Sequence, residues 1–288
     1  MRPEPLLPFS PFAHGRLSAR TQGAGDLVVC LHSSTGTHAQ WHTLAQRLSS
    51  RWQVLSPDLY GHGRSPQWPA AAMNTLHVDG HAVAALMEAA SPQLDQRGVH
   101  LVGHSYGAAI ALKAALMHPT RVRSLTVYEP TIFALVDRDS PRPNATEGIQ
   151  QAVRDGVACL ERGDAEGAAR AFIDFWMGEG SFDRTPVERR GPIVEACRNV
   201  RRWAFALMNE PATLEEFRQI RVPVLYMVGG RSPESSRSVA ERLVAVLADV
   251  RRVEFLGLGH MGPVKHPQRS TRLWERCWPR PSRRRREP

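Results

Sequence analysis

The chain has 288 residues, of which 42% are hydrophobic and 23% are charged, a composition typical of a globular protein and unlike that of a disordered chain, a collagen or a coiled coil. No apolar run approaches the roughly 18 residues that a membrane-spanning helix needs, so no membrane association is expected. The net charge of +9 comes mainly from arginine and is partly concentrated in residues 280–288. This tail is predicted to be a solvated basic segment, and nucleic-acid binding is not expected because no aromatic residues are interleaved with its arginines.

The N-terminus and the cysteines exclude further classes of protein. The first fifteen residues contain four prolines and no apolar run of the length found in secretory leaders, which predicts a cytoplasmic location. The four cysteines are too widely spaced for a zinc site or a CxxC motif, and we expect them to be reduced packing residues. The sequence has no phosphate-binding glycine loop and no cluster of metal ligands, so neither a cofactor nor a metal is expected.

Short apolar runs alternate with helix-periodic segments from residue 27 onward, which predicts an α/β protein with a mostly parallel central sheet flanked by helices. An antiparallel pair or single edge strand is predicted within residues 15–25. The predicted strands are 27–31, 54–56, 99–102, 124–128, 222–228 and 252–256, and the predicted helices are about 38–49, 76–90, 106–117, 234–248 and 267–277.

The alternation stops between about residues 134 and 220, where apolar residues recur at helical spacing and no strand-like run occurs. This segment is predicted to be an all-helical insertion that forms a cap, or lid. We therefore divide the chain into a core of residues 1–133 and 221–279, a cap of residues 134–220 and a basic tail of residues 280–288.

One five-residue segment carries the pattern of a nucleophilic serine. It reads Gly103-His104-Ser105-Tyr106-Gly107 and lies between a predicted strand and an alanine-rich predicted helix. In that context G-x-S-x-G forms a sharp turn, the nucleophile elbow. Side chains at the two flanking positions would clash with the strand and the helix, which explains a glycine at both. The N-terminus of the helix favours negative charge near the serine, so Ser105 is predicted to be the nucleophile.

A serine hydroxyl needs a base, and His260 is the best placed histidine because it lies in a glycine-rich loop between the last predicted strand and the last predicted helix. The oxyanion that forms during acyl transfer needs backbone donors. For these we nominate the amide of Tyr106, next to the nucleophile, and the amide of Ser34, in the loop after the first central strand.

These motifs resemble those of the α/β-hydrolase family, in particular its capped, esterase-like members. The segment SPDLYGHGRS at residues 56–65 is also similar to a strand-end segment of that family, P-D-x-x-G-x-G-x-S. The resemblance spans about residues 25–277, with four motifs in the family's order. It implies an α/β-hydrolase fold with an inserted helical cap. It also implies a structural, hydrogen-bonding role for Asp58 rather than a catalytic one.

Two positions depart from the family pattern. Ser33 stands where the family generally has glycine, and its side chain is expected to narrow the pocket or to change how the second oxyanion donor is presented. Ser232 stands where the family usually has the aspartate of its catalytic triad. A serine cannot stabilise an imidazolium as a buried carboxylate does.

A different carboxylate is predicted to take that role. Related folds carry the acid at the end of the preceding strand, before the cap, where this chain has Glu129-Pro130. We assign Glu129 as the triad acid, with the proline fixing its position. Glu234, two residues past the usual place, is the alternative, and a Ser-His dyad or a degraded site is the third.

Together these residues predict a serine hydrolase that cleaves an ester or a related carbonyl bond of a small to medium apolar substrate through an acyl-enzyme. Hydrolysis of a thioester, a lactone or a C–C bond stays open. So does a catalytically idle ligand-binding protein on the same scaffold, which the serine at position 232 favours. The expected partner is a small molecule, and the chain is expected to be a monomer or a homodimer. The candidate pocket residues are Ser33, Phe133, Trp176, Trp203 and Met208.

Overall fold

Seven strands form one sheet in this computed structural model, which describes residues 17–68, 76–91 and 98–277. The strands are β1 (Ala19–Gln22), β2 (Asp26–Leu31), β3 (Trp52–Pro57), β4 (Val99–His104), β5 (Val122–Tyr128), β6 (Val224–Gly229) and β7 (Val250–Phe255). They lie in the order β1-β3-β2-β4-β5-β6-β7, and every neighbouring pair is parallel except β1 with β3. The predicted mostly parallel sheet is confirmed, and its edge strand is antiparallel as expected.

Helices flank this sheet. They are α1 (His42–Leu48), α2 (Leu76–Ala90), α3 (Tyr106–Met117), α4 (Ala134–Asp139), α5 (Glu147–Glu161), α6 (Ala165–Met177), α7 (Val187–Cys197), α8 (Val200–Met208), α9 (Leu214–Phe217), α10 (Glu234–Val246), α11 (Gly262–Lys265) and α12 (Pro267–Cys277). A 3-10 turn at His38–Trp41 precedes α1, where the sequence predicts one continuous helix. None of the described helices has the length and apolar character needed to cross a membrane.

The ends of the predicted strands differ from the observed ends by at most two residues. β6, for example, begins at Val224 rather than Val222. Pro223 has no N–H to donate to a strand ladder, and its carbonyl instead accepts a bond of 2.9 Å from the Leu125 amide. Helices α2, α3 and α12 have the predicted bounds.

The central strands position the candidate site. β4 and β6 are buried along their whole length, whereas β7, at the sheet edge, consists of half-buried and exposed residues. The parallel strands β2, β4, β5 and β6 end at one edge of the sheet, and ligands of open α/β sheets bind outside that edge. Ser33, Ser105, Glu129 and Ser232 all lie in the turns or loops that follow these four strands.

The segment between β5 and β6 contains α4 to α9 and no strand, and all of its residues are described. Its apolar faces, with Ile149, Phe172 and Trp203 among them, join the same hydrophobic cluster as the side chains of the sheet. The helical character predicted for residues 134–220 agrees with this arrangement. The division into core and cap stays a prediction, and the basic tail, residues 280–288, lies outside the described residues.

A buried ion pair ties the helix after the elbow to the end of this helical segment. Lys113 Nζ, on α3, lies 2.6 Å from Glu210 Oε1, and the Glu210 side chain is fully buried. The same oxygen accepts a bond of 3.0 Å from the Ala212 amide. Arg138 donates to the carbonyl oxygens of Glu210 and Ala212, so a second cation holds the same turn.

We expect Lys113→Met to lower the free energy of unfolding by about 3–5 kcal/mol, because it leaves the Glu210 carboxylate buried without its cation. The double variant Lys113→Met with Glu210→Leu recovers most of that loss. Arg198→Met is the control, because it breaks an exposed pair with Glu195 that is worth less than about 1 kcal/mol. Urea unfolding measures all three variants. If Lys113→Met lowers the free energy of unfolding no more than Arg198→Met does, the stabilising role of the buried Lys113–Glu210 pair is contradicted.

Candidate active site

Ser105 lies on a strained turn between β4 and α3. Its backbone has φ 55° and ψ −117°, a conformation that L residues rarely adopt, and its side chain is buried. A Cβ at Gly103 would lie 2.5 Å from Ala108 Cα, so the following helix requires glycine there. A Cβ at Gly107 would lie 2.3 Å from the Leu31 carbonyl oxygen. The second clash thus comes from the neighbouring strand β2 rather than from the strand that leads into the elbow.

His260 lies between a hydroxyl and a carboxylate. Its Nε2 is 2.9 Å from Ser105 Oγ, and its Nδ1 is 2.6 Å from Glu129 Oε2. The three side chains are at most 4% exposed, so water does not compete for these contacts. The structure therefore brings together the three residues that the sequence analysis nominated as nucleophile, base and acid, although they come from separate parts of the chain.

Glu129 is held by its second carboxylate oxygen. Oε1 accepts a hydrogen bond of 2.6 Å from the Gly229 amide and one of 2.5 Å from Ser232 Oγ. Glu129 itself has φ 47°, a left-handed backbone conformation at the end of β5. Ser232, which stands in the family's usual acid position, is thus a hydrogen-bond donor to the carboxylate that faces the histidine. Glu234, the alternative acid, is exposed at the first turn of α10.

The loop that carries His260 is fixed by two further side chains. His104 Nε2 donates to the His260 carbonyl oxygen over 2.9 Å, and Tyr128 Oη donates to the Gly259 carbonyl oxygen over 2.9 Å. Burial, followed by the nearby His260, holds the pKa of His104 well below its usual value, so His104 is neutral. Since Nε2 carries its proton, Nδ1 accepts from Gln40 Nε2 at 3.2 Å.

Gln40 continues this network to the loop after β2. Gln40 Oε1 accepts from the Ser33 amide at 3.1 Å and from Ser33 Oγ at 3.2 Å. Ser33 was predicted to line the pocket, and the structure shows its hydroxyl directed to Gln40. His32 Nδ1 donates to the Ser33 carbonyl over 2.7 Å, and burial together with the nearby His62 lowers the pKa of His32 to about 3. The Ser34 carbonyl faces His62 Nε2 at 2.5 Å.

Asp58 stabilises the segments that follow β2 and β3. Its carboxylate accepts bonds of 2.8 Å from the His38 amide and 3.0 Å from the Arg64 amide. A Cβ at Gly63 would lie 2.2 Å from this carboxylate, so the turn closes tightly around it. These contacts agree with the structural role expected for Asp58.

A narrow, mainly apolar cavity adjoins Ser105. It leaves only about 10 Å³, the room of a single water molecule. Four of the five predicted pocket residues line it, namely Phe133, Trp176, Trp203 and Met208. The sequence analysis did not nominate the other lining residues as pocket residues, and these are Thr131, Ile149, Val153, Phe172, Ala204 and Leu207. Helical periodicity predicts that several of them lie on an apolar face, but it does not predict which cavity they face.

Trp176 separates this cavity from a wider, open groove. Its indole stacks on the His260 imidazole, with ring centroids 3.7 Å apart and planes 21° from parallel. The groove has a volume of about 480 Å³, and Trp176 and His260 form part of its wall. The charged side chains among the described residues that line it are cationic, from Arg231 and Lys265, and His266 lies beside them.

The comparison with known proteins assigns the family. The model of the alpha/beta hydrolase family matches residues 28–272. The chain belongs to the alpha/beta hydrolase family. Several solved hydrolases share its fold. An esterase of Thermogutta terrifontis is 22% identical with a TM-score of 0.72, covering 91% of this chain and 93% of that one. An enol-lactonase of Burkholderia xenovorans is 18% identical with a TM-score of 0.71, covering 93% and 98% of the two chains.

Relatives among characterised proteins include esterases and lipases. A pimeloyl-[acyl-carrier protein] methyl ester esterase of Chromobacterium violaceum is 29% identical over 255 residues, 88% of this chain and 94% of the relative. Lipase LipV of Mycobacterium tuberculosis is 38% identical over 108 residues, which cover 36% of this chain and 37% of the lipase. The chain spans between about a third and a half of the length of several of the curated relatives that it matches, the lipase among them.

A buried carboxylic acid lies behind the elbow. Tyr106 Oη donates to Asp79 Oδ2 over 2.5 Å, and Asp79 is 1% exposed. Burial raises the pKa of Asp79 from 3.8 to about 7, and the bond from Tyr106 offsets part of that effect. The native protein therefore keeps the Asp79 proton up to about pH 7, whereas the unfolded chain releases it near pH 4.

Because the native state binds the extra proton, the free energy of unfolding falls as the pH rises through this interval. Asp79→Asn cannot ionise and lacks this dependence. Between pH 5 and pH 8 we expect the wild-type protein to lose about 2 kcal/mol relative to Asp79→Asn in urea unfolding. Parallel pH profiles of the two proteins would contradict this assignment.

Proposed function

We propose that this member of the alpha/beta hydrolase family is a serine hydrolase that cleaves an ester or a related carbonyl bond through an acyl-enzyme. One observation carries the proposal, the location of the His260 ring 2.9 Å from Ser105 Oγ and 2.6 Å from Glu129 Oε2. Nucleophile, base and orienting acid at hydrogen-bond distance are the arrangement that acyl transfer requires. The esterases and lipases among the relatives agree with hydrolysis.

In the first half of the proposed reaction, His260 Nε2 accepts the Ser105 proton while Ser105 Oγ bonds to the substrate's carbonyl carbon. The carbonyl oxygen becomes an oxyanion, and the Tyr106 and Ser34 amides are the proposed donors to it. Ser34 lines the same cavity as Ser105, and Tyr106 is the first residue of α3. Collapse of the tetrahedral intermediate breaks the bond to the leaving group, and His260 Nε2 donates to the leaving group the proton that came from Ser105.

In the second half, water replaces the leaving group. His260 Nε2 accepts a proton from water, and the hydroxide oxygen bonds to the acyl carbon. The bond to Ser105 Oγ then breaks, and Ser105 recovers its proton from His260. Throughout, the Nδ1 proton stays between His260 and the Glu129 carboxylate, which stabilises the imidazolium without taking its proton.

Ser232 is proposed to position Glu129 in this cycle. Its hydroxyl and the Gly229 amide occupy Oε1, which leaves Oε2 for His260. A serine in the usual acid position is thus compatible with an intact triad. The alternative, a catalytically idle binding protein, was based on the serine at position 232. The contacts of Ser232 with Glu129 support an enzyme instead.

The substrate is proposed to be small and to carry an uncharged acyl group. Aromatic and aliphatic side chains make up most of the wall beside Ser105, and no charged residue lines that cavity in the described part of the chain. A charged acyl chain would lose its hydration there without a partner. Lactones and thioesters of such acids satisfy the same constraints.

Glu129→Gln tests the acid directly. A glutamine donates or accepts in the place of the carboxylate but cannot stabilise an imidazolium, so we expect kcat on p-nitrophenyl butanoate to fall about 10³- to 10⁴-fold. Glu234→Gln is the matched control and keeps full turnover. Ser105→Ala gives the residual turnover that remains without the nucleophile. Near-full turnover by Glu129→Gln together with a loss in Glu234→Gln would overturn the assignment.

A further inference from the structure

Two buried polar side chains in the wall of the Ser105 cavity have no hydrogen-bond partner among the residues that the structure describes. They are Thr131, whose side-chain Oγ1 is unpaired, and Trp203, whose Nε1 is unpaired. Thr131 is 1% exposed and Trp203 is 2% exposed. Ser34 and Ser105 belong to the proposed machinery. Among the other described residues of this wall, Thr131 is the one with a hydroxyl, and Trp203 is one of two that carry an indole.

Unpaired buried groups of this kind destabilise the folded protein. A buried polar group that lacks a partner is destabilising by about 1–3 kcal/mol, so nearly all such groups in folded proteins are satisfied. Replacement of Thr131 by valine and of Trp203 by phenylalanine would keep the apolar wall and remove the penalty. Two such groups in one small cavity therefore point to a ligand that pairs with them when it is bound.

The two groups have separate supports. Thr131 follows Glu129 by two residues at the end of β5, and its carbonyl accepts a bond of 2.9 Å from the Phe133 amide. Trp203 lies on α8, with its ring centroid 4.6 Å from that of Phe172. One donor thus comes from the sheet side of the cavity and the other from the helical segment, and neither forms a hydrogen bond to His260 or Glu129.

The chemistry of these groups defines their partner. An indole N–H only donates, and a threonine hydroxyl donates as well as accepts, so an acceptor oxygen satisfies both. Such an oxygen must be uncharged, since no cation lines the cavity in the described part of the chain. Ser105, the proposed nucleophile, lines the same cavity, and the acyl part of the substrate is proposed to occupy it, so the acceptor oxygen is assigned to the acyl part.

On this basis, and resting on the proposed function, we infer that the preferred substrate has an acyl group with a second, uncharged acceptor oxygen, such as an ether, a hydroxyl or a ketone, recognised by Thr131 and Trp203. The two residues are then specificity-determining. They discriminate an oxygen-bearing acyl group from its hydrocarbon isostere, because a site built around hydrogen-bonding groups disfavours ligands that leave those groups unpaired.

Two pairs of isosteric p-nitrophenyl esters test the inference. Methoxyacetate is compared with butanoate, and 3-methoxypropanoate with pentanoate, so that each pair differs by an oxygen in place of a methylene group. The readout is the ratio of kcat/KM within a pair, measured for the wild-type protein, Thr131→Val and Trp203→Phe. Comparison of these ratios between variants cancels the intrinsic reactivity of the esters. Ser236→Ala is the control, because Ser236 Oγ is also buried and unpaired but lies outside this cavity.

In at least one pair, Thr131→Val and Trp203→Phe are expected to lower the preference for the oxygen-bearing ester about fivefold to tenfold each, with turnover of the hydrocarbon ester maintained. The Ser236→Ala ratio stays at the wild-type value. Unchanged ratios in both variants overturn the inference and leave the proposed function standing. Equal slowing of both esters in Thr131→Val, as expected of an oxyanion donor, overturns it as well. A wild-type protein that turns over none of the four esters, with Ser105 unreactive towards a fluorophosphonate, defeats the proposed function itself.

Discussion

The arrangement of the candidate site depends on one buried interaction, the hydrogen bond between Glu129 Oε2 and His260 Nδ1. A carboxylate removed from water is strongly destabilising unless donors surround it. Glu129 has three, the Gly229 amide, the Ser232 hydroxyl and the His260 ring. They come from the end of β6, from the loop that follows it and from the loop after β7, so the carboxylate also joins these two loops. Glu129 itself has a left-handed backbone conformation.

The parallel sheet makes this convergence possible. β4, β5 and β6 are adjacent, and the residues that follow them therefore lie side by side although more than a hundred positions separate Ser105 from Ser232. His260, from the loop after β7, reaches back over this edge, and His104 and Tyr128 hold its loop by their bonds to main-chain carbonyls. The Trp176 indole, from the helical segment, stacks on the His260 imidazole and shields that face of the ring from water. The same indole lies between the inner cavity and the outer groove.

Much of this arrangement was predictable because it depends on local patterns. Apolar runs predict the central strands to within two residues, helical periodicity predicts three of the flanking helices with their bounds, and the glycines at positions 103 and 107 predict the elbow. Glu129 was predicted from the family resemblance, since related folds carry the acid at the end of the strand before the cap, where this chain has Glu129. The partners of Ser33 and Ser232 were not predictable, because each hydroxyl points to a residue far away in the sequence. Thr131 was overlooked for a related reason, since nothing local marks a threonine as unpaired.

Reaction with a fluorophosphonate, followed by peptide mapping, tests whether the buried carboxylate and imidazole make the Ser105 hydroxyl reactive. We expect a covalent adduct on the peptide that contains Ser105. We also expect much slower labelling in Glu129→Gln, with the wild-type rate kept in Glu234→Gln. Labelling of a different serine, or equal rates in the wild-type protein and Glu129→Gln, would contradict this expectation.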